Sequence, residues 1–326
     1  PRESMRGVFK ILQQSSLFLL TIQVLSKPSR LRSFEIFIVF WAMVVSADGF
    51  FQYFTGKDFL RGFDYHPSEA GPRVSASFKS YGLFACYLSM LMPLITALGL
   101  RLRNQERNWN LWYVAMISSV SFLILLVLTR SRGAILAFVI GMGLFLLCKK
   151  KFLWILVLGI IFALFVAILP KNMILHLDIK RRDQSMIERL HLWYRAIQVV
   201  QAKPLTGTGI NTYTRAHAKY DKRKSWRVKD YYAHNGYLQM AAEIGLPGLF
   251  AFLCFLMQFL RRLLENLKSK GPRQTVLNGF LIGFLIFSIL ASLDTVLHNP
   301  SSALLFWFFL GIGYAYVKPP VDDRIS

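Results

Sequence analysis

Residues 276–296 read VLNGFLIGFLIFSILASLDTV, an apolar run whose single charged side chain, Asp294, stands near its end. About twenty such residues in a helix reach across roughly 30 Å of hydrocarbon. The run is one of many. Hydrophobic residues make up 54% of the 326 and charged ones only 17%, more apolar surface than a soluble domain of this length can hide. The sequence therefore predicts an all-α polytopic membrane protein in which the bilayer replaces a single large core. Nine segments qualify or nearly qualify as spans: 8–25, 34–52, 81–100, 111–129, 133–148, 152–170, 246–262, 276–296 and 301–317. Cys86, Cys148 and Cys254 all fall inside apolar runs, where packing is their expected role, and none has metal-site spacing.

Connectors rich in Lys and Arg alternate with connectors that lack them. The basic clusters are Lys27, Arg30 and Arg32; Arg101, Arg103 and Arg107; Lys149, Lys150 and Lys151; and Arg261, Arg262, Lys268, Lys270 and Arg273. Nine spans put all four on one side, which the positive-inside rule makes cytoplasmic, together with the tail from Lys318. The first residue, Pro1, then lies outside. With no initiating Met and no visible signal peptide, this predicts an odd number of spans before it. The chain divides into N-terminal spans (1–170), a loop (171–245), and C-terminal spans with a tail (246–326).

The net charge of +22 has to be divided by side of the membrane. Residues 53–80 and the segment from Lys171 to about Ile244 fall outside. Between Lys171 and Asn235 the loop carries fourteen Lys or Arg against five Asp or Glu. Such a loop either binds an anionic partner or lies as a solvated charged face beside anionic headgroups. Phosphorylated lipids and glycans suit an outward location, and nucleic acid does not. Within the loop Leu190, Trp193, Tyr194, Ile197 and Val200 recur at helical spacing, predicting a helix over 181–202 that ends at Lys203-Pro204, before a tight turn at Gly207-Thr-Gly209.

After this basic segment comes His234-Asn-Gly-Tyr-Leu-Gln-Met-Ala-Ala-Glu-Ile-Gly245-Leu-Pro-Gly248. The pattern predicts a short helix from Asn235 to Ile244, closed by Gly245 and broken by Pro247, with His234 at its N-terminus. There the helix dipole favours a neutral imidazole and a nearby anion, which suits a general base. Glu243, nine residues on, is rotated by about 900° and faces away from the imidazole. A second element is Thr129-Arg130-Ser131-Arg132-Gly133, where paired guanidiniums at a span end either clamp phosphate or snorkel to the interface. Asp294 is the third, an acid that either pairs with an arginine or stands exposed near His298.

These elements together resemble the O-antigen ligase family, which shares a domain with O-antigen polymerases and protein O-oligosaccharyltransferases. The family pattern of His, then Asn/Ser/Gln, nine residues, Gly, two residues and Gly/Thr/Tyr is met by His234, Asn235, Gly245 and Gly248. Thr129 to Gly133, Arg189-Leu-His-Leu-Trp193 and Pro204-Leu-Thr-Gly207-Thr-Gly209 are also family-like, and the resemblance covers residues 75–317. It implies twelve spans with both ends cytoplasmic, the parity that charge alone suggested. It also implies a GT-C-like glycosyltransferase of the bacterial inner membrane with its site facing the periplasm. Such an enzyme moves a glycan from undecaprenyl diphosphate to a sugar hydroxyl of lipid A–core by direct inverting displacement, without metal, ATP or other cofactor.

His234 is the expected base. Arg132, Arg189, Arg195 and Arg215 are the expected diphosphate ligands, with Arg215 ranked last, and Asn235 and Asp294 join them as substrate-binding residues. His176, His191, His217 and His298 lack the combination that singles out His234. The rival readings are a polymerase, a protein O-oligosaccharyltransferase and a lipid-linked glycan transporter. An Arg-x10-Gly element would mark a polymerase, but Arg195 to Gly207 has one residue too many. A transporter would carry charge near the bilayer midplane, whereas the polar residues here gather in the loop and at span ends.

Overall fold

The computed structural model describes residues 2–66, 72–157, 159–160, 179–219, 232–268 and 273–317. Much of the expected span 152–170, the loop up to residue 178, His176, Tyr231, Lys270 and the tail from Lys318 lie outside the described residues. The helices are α1 (Arg2–Leu25), α2 (Pro28–Thr55), α3 (Tyr81–Glu106), α4 (Trp109–Leu128), α5 (Arg132–Cys148), α6 (Ile179–Ala202), α7 (Tyr213–Ala218), α8 (Gly236–Lys268), α9 (Gln274–Leu293) and α10 (Pro300–Val317). Among the described residues there is no strand, only two isolated bridges. Among the described residues, seven helices are long and apolar enough to cross a membrane. They account for seven of the nine predicted segments, while the segment at 133–148 forms the shorter helix α5.

α3 lies at the centre of the bundle, packed against α2, α4, α5, α9 and α10, while α1 packs on α10. Small residues set the closest approach. A Cβ on Gly279 would come within 2.8 Å of Pro93 O, and one on Gly283 within 2.5 Å of Met90 O. The four-residue spacing of these glycines therefore brings the α9 backbone against α3, as is common where lipid supplies no hydrophobic drive between helices. Phe9, Phe37, Phe40 and Phe54 point outward, as lipid-facing side chains do.

The two ends of the bundle differ in chemistry. At one end, buried Glu35 of α2 lies against Arg101 of α3 and accepts a hydrogen bond from the Tyr316 hydroxyl of α10, and Arg273 donates to Tyr316 O at 3.4 Å. Arg32, Arg101 and Arg273 thus share one end. The C-terminus of α9, with Asp294, and the N-termini of α3 and α5 lie at the other.

The polar segment after α6 is suspended from α8. At Gly245 (φ +74°, ψ 172°) α8 departs from helical geometry, the break expected from Gly245 and Pro247. Leu246 N–H donates to Pro204 O at 2.8 Å, Thr208 N–H to Ala242 O and Gly209 N–H to Glu243 O, both at 2.9 Å. The buried Glu243 carboxylate accepts from Asn211 N–H at 2.7 Å and Tyr213 N–H at 3.3 Å. The buried stripe of α6 is Leu192, Ala196 and Val199, while Leu190, Tyr194 and Ile197 are exposed. The reason is Ala196, whose small side chain admits Tyr213, Ala233 and Ala242 into one compact cluster.

Gly207 stands at φ +64°, where a Cβ would lie 2.4 Å from Glu243 O and 2.7 Å from Gly245 N. Gly207→Ala is expected to destabilise the protein by about 3 kcal/mol, from the left-handed φ and the overpacking together. Thermal unfolding of the purified protein checks this; a midpoint equal to the parent's would refute it.

Candidate active site

His234 stands at φ +47° immediately before Asn235 caps α8. Histidine is among the residues that tolerate the left-handed region, and two contacts fix it there. Trp193 Nε1 donates to His234 O at 3.2 Å, and His234 Nδ1 lies 3.1 Å from Asp294 Oδ1. Gly236 N–H donates to Asp294 O at 3.2 Å, so the end of α9 is joined to the start of α8 on both sides of the imidazole. Both side chains of the pair are half-buried, His234 at 32% and Asp294 at 43% exposure.

Burial pushes the Asp294 carboxyl up, but the hydrogen bond and charge of His234, the Thr295 N–H and the charge of Arg189 outweigh it and hold it below the usual carboxylate range. An ionised Asp294 can only accept, so Nδ1 of His234 donates in this pair, and in the neutral ring Nε2 is then the basic nitrogen. This pairing persists as pH falls through the ordinary carboxylate range and is lost only below it. Glu243 does not orient the imidazole, in agreement with its predicted rotation; it holds the loop instead. Burial, then the charge of Lys10, lowers His298 to about 4. His298 is therefore neutral at neutral pH, and the 3.8 Å approach of its Nε2 to Glu243 is not an ion pair there.

The cations divide into two groups. Arg189 is one turn before Trp193 on the same face of α6 and reaches Leu293 O at 3.5 Å through Nη1. Arg132 is exposed at the N-terminus of α5, next to Gly133, whose Cβ position is 3.9 Å from Leu290, one turn before Asp294. These two belong to the His234 end. Arg195, six residues after Arg189 and so about 120° away around α6, lies near Tyr213. Arg215 lines a cleft of about 230 Å³ with Lys203, Thr208, Thr212 and Lys219, bounded by neither His234 nor Asp294.

Asn235 is committed in part to structure, since its Oδ1 accepts from Tyr237 N–H at 3.1 Å and Leu238 N–H at 3.0 Å. With Gly236 N–H also taken, the first amides of α8 are occupied and not open to the anion expected at this helix end. The residues that sequence reasoning left without a role here are Trp193 and, as a partner of His234, Asp294. The only signal for the latter was an acid at the end of an apolar run. Among the described residues no three His, Cys, Asp or Glu side chains gather as a metal site.

Residues 117–253 match the family model described as O-antigen ligase, which bears out the resemblance carried by His234, Gly245 and Gly248. The match includes Arg132, Arg189 and His234 and ends before Asp294. Three proteins named as candidate polysaccharide ligases are similar to this chain. That of Rickettsia felis is 24% identical over 242 residues, 66% of this chain and 56% of its own length. That of Rickettsia typhi is 26% identical over 197 residues, covering 54% and 47%. That of Rickettsia conorii is 28% identical over 119 residues, covering 32% and 28%. The chain spans about half the length of the first two.

Asp294→Asn is expected to lower turnover about 10²-fold while leaving donor affinity near the parent's, because the carboxylate acts through the imidazole. Separate kcat and KM measurements check this, and an unchanged kcat would dismiss the pairing as incidental.

Proposed function

We propose that the protein is a glycan ligase that moves a glycan from an undecaprenyl-diphosphate-linked donor to a sugar hydroxyl of a lipid A–core acceptor. It would work on the periplasmic face of the bacterial inner membrane. The observation that carries the reading is the His234–Asp294 pair, 3.1 Å apart, at the end of the bundle opposite Arg32, Arg101 and Arg273. By the positive-inside rule that end faces outward. Membership of the match in a ligase family supports the substrate class, because both donor and acceptor are then lipids with anionic groups.

The chemistry follows from the tautomer. His234 Nε2 takes the proton of the acceptor hydroxyl as its oxygen bonds to the anomeric carbon of the donor sugar. The bond from that carbon to the diphosphate oxygen breaks, and the diphosphate leaves with the electron pair. The anomeric configuration inverts, and no covalent enzyme intermediate forms. The charge left on Nδ1–H is held by Asp294, and the charge building on the diphosphate is met by Arg189 and Arg132, whose planar forks suit phosphate oxygens. Arg195 and Arg215, on the far side of α6 and in the separate cleft, are better suited to the glycan or the lipid surface.

Two outcomes test this in transfer from undecaprenyl-diphosphate glycan to purified lipid A–core. His234→Asn keeps a residue at home in the left-handed region but removes the base. It is expected to lower transfer by about 10²–10⁴-fold with donor binding intact; near-parental turnover would remove the histidine from the mechanism. Arg132→Lys and Arg189→Lys keep the charge and lose the fork, so each is expected to impair transfer. Parental rates in both would refute the diphosphate clamp.

A further inference from the structure

The turn between α4 and α5 carries a guanidinium that the reaction above leaves unused. Arg130 stands at φ +55°, a conformation unfavourable for a long side chain. Thr129 holds the turn in place, its buried hydroxyl donating to Leu126 O at 2.7 Å and accepting from Ser131 N–H at 3.2 Å. Nε and Nη1 of Arg130 are shut away from solvent without a hydrogen-bond acceptor, and so is Nε of Arg73. Burial, then the adjacent charge of Arg73, lowers the proton affinity of Arg130. Among the described residues no carboxylate lies within ion-pair distance of either arginine.

Two like charges with orphaned donors are unfavourable, yet the surroundings hold them together. Gln52 Oε1 accepts from Ser75 N–H and Ala76 N–H at 2.8 Å each, and Asp48 accepts from Phe59 N–H at 2.9 Å and Ser77 N–H at 3.0 Å, tying the loop that bears Arg73 to the end of α2. Val74 N–H donates to Leu128 O at 3.3 Å, which fixes that loop to the end of α4. The Arg73 guanidinium lies over the Tyr81 ring at 4.6 Å.

We propose that Arg73 and Arg130 form a second anion site, additional to Arg132 and Arg189, that binds a dianionic phosphate borne by a lipid. Two uncompensated charges match a phosphomonoester or a terminal diphosphate rather than a singly charged phosphodiester, and phosphate oxygens can accept from the orphaned N–H groups. Such a group occurs on a prenyl diphosphate and on a phosphorylated glycolipid. The site does not depend on which glycan is transferred or on His234 being the base.

The test uses the full protein in phosphatidylcholine nanodiscs, titrated with farnesyl diphosphate, with bis-phosphorylated lipid A and with phosphatidylglycerol. Arg73→Gln/Arg130→Gln is expected to lose about tenfold or more in affinity for one of the first two, and the arm that weakens identifies the source. Its melting temperature should be unchanged or higher, since a repulsion is removed. Arg130→Gly, which suits φ +55°, secures the result if the double variant folds poorly, and should weaken the same arm. His234→Asn should bind both ligands as the parent does, which separates this site from the catalytic reading. Unaltered affinity for both ligands, or an equal loss for phosphatidylglycerol, would overturn the proposal.

Discussion

The Glu243 carboxylate, buried where α8 breaks, is the interaction on which the arrangement at this end of the bundle depends. It collects Asn211 N–H and Tyr213 N–H, while the carbonyls of Ala242 and Glu243 receive the turn at Thr208 and Gly209. Those bonds fix the polar segment onto a helix that is itself packed in the bundle. α6 then has only one place to lie, with Ala196 and Val199 inward, and this sets Trp193 and Arg189 beside His234 and Asp294. Placing a buried acid here is costly unless its lone pairs are filled, and backbone amides fill them. The break at Gly245 frees the carbonyls that a continuous helix would have used.

Charge is distributed to the same end. At the far end Glu35 pairs with Arg101 and Glu106 with Arg32. Near His234, Asp294 faces the imidazole and is committed to it.

Much of this was legible in the sequence, and the reasons differ by residue. Span lengths follow from hydropathy, so seven of the predicted segments reappear, among the described residues, as helices long enough to span. The break at Gly245 followed from Gly and Pro, whose effects are local. His234 was legible because its spacing to Gly245 and Gly248 reflects a physical demand: Gly207 and Gly245 must touch, and each excludes a Cβ. The partner of the histidine was not legible, since Asp294 lies 60 positions away and only tertiary packing joins them. The inward face of α6 was also missed, because periodicity favours the largest apolar residues whereas the tight contact chose alanine. The ranking of the arginines could not be read from charge alone; helix phase separates Arg189 from Arg195.

The cluster around His234 draws on four separate parts of the chain: the start of α5, α6, the start of α8 and the end of α9. Chains are made and inserted from the N-terminus onward, so the imidazole emerges well before the carboxylate that fixes its tautomer. Until α9 has entered the membrane and brought Asp294 against the start of α8, His234 lacks both its Nδ1 acceptor and the Gly236–Asp294 backbone bond. A nascent or prematurely terminated chain therefore holds its arginines without an oriented base. The imidazole is fixed only when the end of α9 closes against the start of α8.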